Sequence, residues 1–248
     1  MAPARLTLDG LTKAYGALPV LDEVSFEVGH GEFVAVVGPS GCGKSTLFDV
    51  VAGLEPPDGG RVLVDGADVT GRTDAFAYMP QQDLLFPWRT VLDNTTLGLE
   101  VAGMRRREAR ERARPLFVEF GLAGFEGARP GELSGGMRQR AALLRTVVQE
   151  RPVLLLDEPF GALDALTRAD MQLWLSGVRA RFDWTVVLVT HDIREAVFLA
   201  DRVLVLGPRP TSVRREVTVD LPRPRDLSTI TDPAFARAEA ELLGALVR

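Results

Sequence analysis

The sequence predicts an α/β fold in which a mostly parallel sheet is combined with an N-terminal antiparallel β subdomain and an inserted α-helical subdomain. Three largely apolar runs have the length and composition of strands that are covered on both faces. These runs are Phe33–Val37, Val153–Leu156 and Thr185–Val189. Segments with helical spacing separate them, and strands that alternate with helices are typical of a parallel sheet.

Two parts of the chain depart from this alternation. Short pieces that are apolar on one face occur at Leu6–Leu8, at Val24–Val28 and again at Arg61–Gly66, which favours antiparallel strands exposed to water on one side. The spacing from about residue 83 to residue 150 is helical. We expect one domain over 1–248, with the core and the antiparallel β subdomain at approximately 1–82 and 151–248 and the helical subdomain at approximately 83–150.

The charge of the chain argues against a nucleic-acid partner. Its 248 residues include 29 Lys and Arg against 34 Asp and Glu, for a formal net charge of −5, whereas nucleic-acid-binding domains usually carry a basic face. The most basic stretch, Arg105–Arg112, is interrupted by acidic residues. We interpret it as a solvated helix face on which Glu108 and Arg112, four residues apart, form an ion pair.

The sequence also predicts a cytoplasmic protein whose contact with a membrane is peripheral. The single cysteine, Cys42, cannot form an internal disulfide, and the N-terminal residues do not resemble a secretory signal. No apolar run approaches the ~18 residues that cross a bilayer. Lysine occurs only at Lys13 and Lys44, while the other basic residues are arginines. Phosphate binding by a glycine-rich motif accounts for Lys44, whereas no motif in the sequence accounts for Lys13.

A glycine-rich segment between the first buried strand and a helix matches G-x-x-x-x-G-K-[ST] at every fixed position. Its glycines let the backbone curl so that N–H groups point at phosphate oxygens, and the helix N-terminus adds positive potential. Lys44 is expected to neutralise the β- and γ-phosphates, and the Ser45 hydroxyl to bind Mg²⁺. The segment predicts a P-loop NTPase core and comprises Gly38, Pro39, Ser40, Gly41, Cys42, Gly43, Lys44 and Ser45.

Two adjacent carboxylates, Asp157 and Glu158, follow the apolar run that ends at Leu156. Residues at the carboxyl ends of parallel strands meet at the edge of the sheet where ligands bind. Asp157 is expected to hold Mg²⁺ through water, and Glu158 to orient or deprotonate the water that attacks the γ-phosphate.

A second potential anion site lies at the start of a later helix, where Ser134, Gly135 and Gly136 precede Met137. A serine and two glycines before a helix are by themselves more often a simple cap. One nucleotide does not need two such sites on one chain, so we expect a head-to-tail dimer. In it, the three residues of one copy cover the γ-phosphate bound by the other.

These motifs, in this order, resemble the ATPase subunits of ABC transporters over nearly the whole chain. The matching segments are Gly38–Thr46, Gln81, Leu133–Met137, Leu154–Glu158, Ala162–Asp164 and His191. The signature segment departs from the family at its fifth position, where Met137 replaces the usual glutamine.

The resemblance implies roles for five further residues. Tyr15 would stack on adenine and Thr46 would touch the α-phosphate. Gln81 would couple the metal and the water to the membrane partner, although the adjacent Gln82 competes for this role. His191 would contact the γ-phosphate, and Asp164 would communicate across the dimer. The implied cofactors are ATP and Mg²⁺.

Three local segments resemble the importers of nitrate, sulfonates, taurine and pyrimidine precursors. The first is Leu85–Trp88 and the second is Asp157–Arg168. The third consists of Gly207–Pro210 followed by Asp220–Arg225. The implied protein works at the cytoplasmic face of the membrane with permease subunits and, indirectly, with a solute-binding protein. Leu84, Leu85, Phe86 and Trp88 are expected to form the groove that receives a permease helix.

Three alternative functions stay open at this point. An ABC exporter or lipid-handling ATPase shares all the catalytic motifs and differs only in its partner. A soluble ABC ATPase that acts on DNA or ribosomes usually carries a long coiled-coil insertion or two cassettes, and neither is present. A scaffold that binds nucleotide without hydrolysis is contradicted by Glu158 and His191.

Overall fold

The computed structural model describes residues 4–179 and 181–247. Its strands form two sheets. They are β1 (Leu6–Tyr15), β2 (Leu18–Val28), β3 (Phe33–Val37), β4 (Gly59–Val64), β5 (Ala67–Asp68), β6 (Ala77–Met79), β7 (Val153–Asp157), β8 (Thr185–Val189), β9 (Arg202–Leu206) and β10 (Val213–Thr218).

The helices fall mostly between β6 and β9. They are α1 (Lys44–Val51), α2 (Val91–Thr95), α3 (Leu97–Val101), α4 (Arg106–Glu119), α5 (Gly135–Val147), α6 (Ala165–Arg179), α7 (Ile193–Leu199) and α8 (Pro233–Val247). Short 3₁₀ turns span Pro130–Glu132 and Leu227–Thr231. No helix in the described ranges is long and apolar enough to cross a membrane.

The N-terminal sheet is antiparallel, with the strand order β2-β1-β4-β5. Leu8 on β1 lies opposite Phe26 on β2 and Val62 on β4. Alternate residues of β1, including Leu6 and Leu8, are buried, while the residues between them are more accessible to water. The predicted antiparallel segment is therefore confirmed.

The second sheet has the strand order β10-β9-β3-β8-β7-β6 and is parallel except at the β9–β10 pair. Every residue of β3, β7 and β8 is buried, as expected for strands that are covered on both faces. The predicted parallel core is confirmed. Because these three strands run in the same direction, Gly38, Glu158 and Thr190 all emerge at one edge of the sheet.

The parallel sheet separates two hydrophobic cores. Phe33, Ala35 and Val37 face a core shared with α5, α6, α7 and α8, whereas Val34 and Val36 face a core shared with α1 and the antiparallel sheet. This division follows from the two-residue period of a strand, which sends successive side chains to opposite faces. The phosphate-loop helix α1 is thus packed between the two sheets.

The basic stretch in α4 differs from its prediction. Glu108 and Arg112 do not form the expected pair, because Arg112 reaches Glu150 and the ion pair along the helix is Arg107–Glu111, at 3.6 Å. Two other arginines of the stretch turn inward to a buried carboxylate. Burial by itself would raise the pKa of that Asp93 carboxyl, but hydrogen bonds from Arg110 and Arg106 hold the pKa below its ordinary value.

Truncation of a buried residue on α5 is expected to destabilise the protein strongly. Leu144 is fully buried, so Leu144→Ala should lower the free energy of unfolding by about 2–5 kcal/mol. Val118→Ala is the matched control, because Val118 is 69% exposed and its truncation should change stability by less than about 0.5 kcal/mol. Urea unfolding followed by circular dichroism measures both, and equal effects would contradict the assignment of Leu144 to the core.

Candidate nucleotide-binding site

The glycine-rich loop runs from the end of β3 to the start of α1 and is held from behind by the segment after β9. Gly43 has a φ of 120°, and a Cβ there would approach a methyl of Val20 at 2.8 Å, so the position requires glycine. The Thr211 hydroxyl donates to the carbonyl of Cys42, and the Arg209 Nε donates to the carbonyl of Gly41 at 2.5 Å. The loop is therefore shaped by contacts with distant residues as well as by its own glycines.

The Lys44 side chain folds back onto this loop. Its Nζ donates to the carbonyls of Gly38, at 2.8 Å, and Pro39, at 3.1 Å, and the residue is only 8% exposed. No carboxylate in the described part of the chain lies within 4.0 Å of this ammonium group. A cation that is held by carbonyl dipoles alone retains most of its attraction for phosphate.

A cavity of about 580 Å³ opens in front of the loop. It brings together residues from the first and second strands, the phosphate loop and the carboxyl ends of β7 and β8. Its lining consists of Tyr15, Leu18, Val20, Ser40, Gly41, Gly43, Lys44, Ser45, Thr46, Glu158, His191 and Arg209. Its volume is in the range typical of small-molecule sites, about 300–1,000 Å³.

Tyr15 lies at the mouth of this cavity and is 47% exposed, which leaves its ring available to a ligand. The second lysine of the chain stands beside it. The Lys13 Nζ donates to the carbonyl of Pro56 at 2.7 Å, lies 3.6 Å from Glu55 Oε2 and 3.8 Å from Asp58 Oδ1, and stands 5.4 Å from the centre of the Tyr15 ring. Lys13 therefore joins β1 to the segment after α1 and supports Tyr15 from the protein side.

The two carboxylates after Leu156 have different environments. Asp157 is buried, and this burial together with the nearby charges of Glu158 and Asp49 raises its pKa to about 6, although the Tyr78 hydroxyl offsets part of the effect. Glu158 faces the cavity with a φ of 44°, a backbone conformation that is unfavourable for a residue other than glycine. Such strain is often retained at functional sites.

Glu158 is the centre of a small polar cluster. The Gln81 Nε2 donates to Glu158 Oε2 at 2.9 Å, and the His191 Nδ1 lies 3.2 Å from Glu158 Oε1. Three segments that are far apart in the sequence are thus joined at one carboxylate. Gln82, the competing glutamine, lines a neighbouring cavity together with Gln81.

A buried carboxyl group lies beneath His191. Glu195 on α7 is 3% exposed and accepts a hydrogen bond from the Gln172 Nε2 at 3.1 Å. The Thr190 Oγ1, which accepts from the Asp192 N–H at 3.0 Å, also hydrogen-bonds to Glu195. Glu195 therefore supports the short segment that carries His191.

Ser134, Gly135 and Gly136 are placed away from the nucleotide cavity, and none of them belongs to its lining in the described chain. The Ser134 Oγ accepts from the Met137 N–H at 3.3 Å and caps α5; Ser134 is exposed, whereas Gly136 is buried. Asp164 likewise accepts hydrogen bonds from Leu166 N, Thr167 N and Thr167 Oγ1 at the start of α6. The single chain does not bring these residues to the phosphate loop.

Three residues of the site were not predicted from the sequence. Arg209 lines the cavity and Thr211 holds the loop. In the sequence, Gly207–Pro210 indicated only a resemblance to a group of importers and no role in the site. A signal was present, because an arginine between two prolines after a buried strand is an unusual place for a mobile surface side chain. Tyr78, which hydrogen-bonds to Asp157, carried no comparable signal.

Comparison with known proteins shows the family. Residues 21–161 match the family model described as ABC transporter. The chain belongs to the ABC transporter family. It is 47% identical over 236 residues to the aliphatic sulfonates import ATP-binding protein SsuB of Ralstonia nicotianae, covering 95% of this chain and 79% of that relative. A second SsuB, from Burkholderia cenocepacia, is 42% identical over 248 residues, covering 100% of this chain and 89% of that relative.

Solved ABC structures have the same fold. A dimeric bacterial ABC transporter cassette is 31% identical, with a TM-score of 0.74, and the match covers 87% of this chain and 99% of that one. The same cassette in a post-hydrolysis state, bound to ADP and Pi, matches equally well. The cbiO1 subunit from Clostridium perfringens is 25% identical, with a TM-score of 0.78, covering 88% of this chain and 89% of that one. The predicted fold class and the predicted transport ATPase are confirmed.

The pH dependence of stability is expected to report the buried carboxyl of Glu195. Burial, the largest influence, raises its pKa from 4.5 to about 7, against hydrogen bonds from Thr190 and Gln172 and the charge of Arg168, with Asp192 adding to the rise. The folded state then binds this proton more tightly than the unfolded state does. The resulting stability is fully present below about pH 4.5 and is lost as the pH rises through about 7, a change on the order of 3 kcal/mol.

Glu195→Gln isolates this contribution, because glutamine stays neutral throughout the titration. Urea unfolding measures the free energy of unfolding between about pH 5 and pH 8. This free energy should decline with rising pH in the wild-type protein, and the decline should be smaller in the variant by about 3 kcal/mol. Parallel profiles for the two proteins would show that Glu195 titrates normally in the folded state.

Proposed function

We propose that the chain is the ATP-hydrolysing subunit of an importer for aliphatic sulfonates or related small anions, and that it works through a separate membrane permease. The observation that carries the ATPase mechanism is the cluster in which Gln81 and His191 both reach Glu158 at the rim of the phosphate-loop cavity. The SsuB names of the relatives support the class of solute.

The cavity has residues suited to both the adenine ring and the phosphates of ATP. Tyr15 is positioned to stack on the adenine ring, with Lys13 supporting it from behind. The loop that would surround the phosphates comprises Gly38, Pro39, Ser40, Gly41, Cys42 and Gly43. All of these except Pro39 carry a backbone N–H that could point at a phosphate oxygen. Lys44 neutralises the β- and γ-phosphates, and Thr46 contacts the α-phosphate.

The donor set also suits Mg²⁺, which prefers oxygen ligands. The Ser45 hydroxyl and the Gln81 amide oxygen would hold the ion directly, and Asp157 would hold it through water. Burial, followed by the charges of Glu158 and Asp49, raises the pKa of Asp157, and a bound cation would favour its ionised form. No cluster of three or more His, Cys, Asp or Glu side chains that could hold a metal ion occurs in the described ranges. Phosphate oxygens of the nucleotide would complete the coordination. When bound, Mg²⁺ neutralises charge that develops on the phosphates.

Glu158 is the group positioned to activate water. It would accept a proton from the attacking water as the new bond to the γ-phosphorus forms and the bond from that phosphorus to the leaving oxygen of ADP breaks. His191 would donate a hydrogen bond to the γ-phosphate. Gln81, which already contacts Glu158 at 2.9 Å, would keep the water and the metal aligned.

A second copy of the chain would complete the site. Ser134, Gly135 and Gly136 do not belong to the lining of the cavity in the described part of their own chain, and the related cassette is named as a dimer. In a head-to-tail arrangement they would cover the γ-phosphate bound by the partner, using the positive N-terminal end of α5. Asp164 would lie next to this junction and connect the two sites.

The permease would dock in a groove of about 760 Å³ beside the Gln81 segment. Leu84 and Phe86 line the groove and are 54% and 37% exposed, whereas Leu85 also lines it but is largely buried. Trp88 lies outside this lining and stacks on Phe86 at 5.0 Å. A permease helix seated here would hold the chain peripherally at the cytoplasmic face of the membrane, and a solute-binding protein would act only through the permease.

Glu158→Gln is expected to separate ATP binding from hydrolysis. The amide keeps the shape of the side chain but cannot accept the proton, so the rate of phosphate release should fall roughly 10²-fold or more. ATP binding, measured with a fluorescent analogue, should persist, whereas Lys44→Ala should weaken it. Unchanged turnover in Glu158→Gln would remove Glu158 from the role of base.

Ser134→Arg tests the shared site. The bulky cation blocks the end of α5 that would meet the partner's nucleotide, while the cavity of the same chain is left intact. On a Glu158→Gln background, ATP-dependent dimerisation should be lost in size-exclusion chromatography and ATP affinity should be retained. A dimer that forms as readily as in the background protein would contradict the head-to-tail arrangement.

A further inference from the structure

A second cleft lies at the opposite edge of the parallel sheet from the nucleotide cavity. It opens where β3, β8 and β9 begin, whereas the nucleotide cavity opens where β3, β7 and β8 end. Its volume is about 390 Å³, within the range of small-molecule sites. It is lined by Gly31, Ser176, Arg179, Phe182, Asp183, Arg223 and Pro224.

Two arginines of this lining share one carboxylate. The Arg223 Nε and Nη2 both donate to Asp201 Oδ1, at 3.0 and 2.7 Å, and the Arg179 guanidinium binds the other oxygen of the same group. Arg179 and Arg223 also donate to the carbonyl of Leu199 at the end of α7. One carboxylate thus balances two guanidinium groups at the wall of the cleft.

A third arginine lies behind this pair. Arg225 is 3% exposed, and its Nη atoms donate to backbone carbonyls while its Nε is buried without a hydrogen-bond partner in the described chain. Burial, together with the charge of Arg223, lowers the pKa of Arg225 to about 10. Ser176, which also lines the cleft, donates its hydroxyl to the carbonyl of Arg225 at 3.1 Å.

The charges of the cleft are therefore unbalanced. The lining holds two cations, Arg179 and Arg223, and one carboxylate, Asp183. With Asp201 and Arg225 behind the wall, three guanidinium groups stand against two carboxylates, which leaves a surplus of one positive charge. Burial and the charge of Arg179 lower the pKa of Arg223, which means that the cations disfavour one another. An anion in the cleft would relieve this repulsion.

We propose that this cleft is a binding site for a small organic oxyanion, such as a sulfonate or a phosphate ester. Arg223 is 29% exposed, and its Nη1 has no hydrogen-bond partner in the described ranges, so this nitrogen can donate to a tetrahedral oxyanion. The Arg179 guanidinium, whose Nη atoms are bound to Asp201 and to backbone carbonyls, adds positive charge beside it. Phe182 and Pro224 form an apolar wall beside them that receives a short carbon substituent. The site is separate from the ATP site and does not depend on the solute proposed above.

Isothermal titration calorimetry of the full chain with ethanesulfonate tests the proposal, and inorganic sulfate serves as the second probe. The protein is first saturated with Mg²⁺ and ADP, because the phosphate loop would otherwise bind the same anions. Sodium chloride keeps the ionic strength constant. We expect saturable binding with one site per chain. Tighter binding of ethanesulfonate than of sulfate shows that the apolar wall contributes, and sulfate binding alone would overturn the assignment of an organic ligand.

Two variants should change the affinity in opposite directions. Arg223→Gln removes a guanidinium group and should weaken binding about tenfold or more. Asp183→Asn removes the negative charge of the lining and should tighten binding roughly threefold or more. Arg107→Gln is the matched control, because Arg107 is an exposed arginine on α4 that does not belong to the described lining of the cleft, and its loss should leave the affinity unchanged.

Thermal unfolding without anion checks that each variant is folded. If Arg223→Gln does not fold, Asp183→Asn still decides the matter, because it leaves the hydrogen bonds of the arginines intact. Absence of binding by the wild-type protein would overturn the proposal. Equal affinities in the wild-type protein and Asp183→Asn would do so as well, since they would place the anion elsewhere.

Discussion

The parallel register of β3, β8 and β7 is the constraint on which the site depends. Backbone hydrogen bonds place Val36 beside Val189 and Asp157 beside Val189, so the ends of the three strands coincide. The phosphate loop, Glu158 and His191 leave the sheet from these ends. Burial on both faces maintains the register, because a shift of one residue would move apolar side chains from one core to the other and break both.

The two edges of the parallel sheet differ in the charges of their side chains. At the carboxyl edge, Asp157 and Glu158 concentrate negative charge next to a loop and a lysine that suit phosphate, a combination that favours a nucleotide with its cation. At the amino edge, Arg179, Arg223 and Arg225 concentrate positive charge around Asp201. Arg223 and Arg225 come from the segment Asp220–Arg225 and donate to backbone carbonyls at the end of α7, which accounts for these two arginines.

The sequence predicted local chemistry well and side-chain partners poorly. The phosphate loop could be recognised because its glycines, lysine and serine act within eight consecutive residues between a strand and a helix. The Glu108–Arg112 pair was wrong because spacing along a helix says nothing about Glu150, which takes Arg112 through the tertiary fold. Leu84, Leu85 and Phe86 all line the groove, but the sequence could not show that Leu85, unlike the other two, is largely buried in the core.

By itself, the sequence determined the fold class, the order of the elements and the residues of the phosphate loop, since periodicity and short motifs express local backbone preferences. The tertiary structure decided which distant groups meet. It joined Gln81 and His191 to Glu158, placed Arg209 and Thr211 on the phosphate loop, and connected Lys13 to the carbonyl of Pro56. These contacts depend on how strands and connections are arranged in three dimensions, and no local pattern encodes that arrangement.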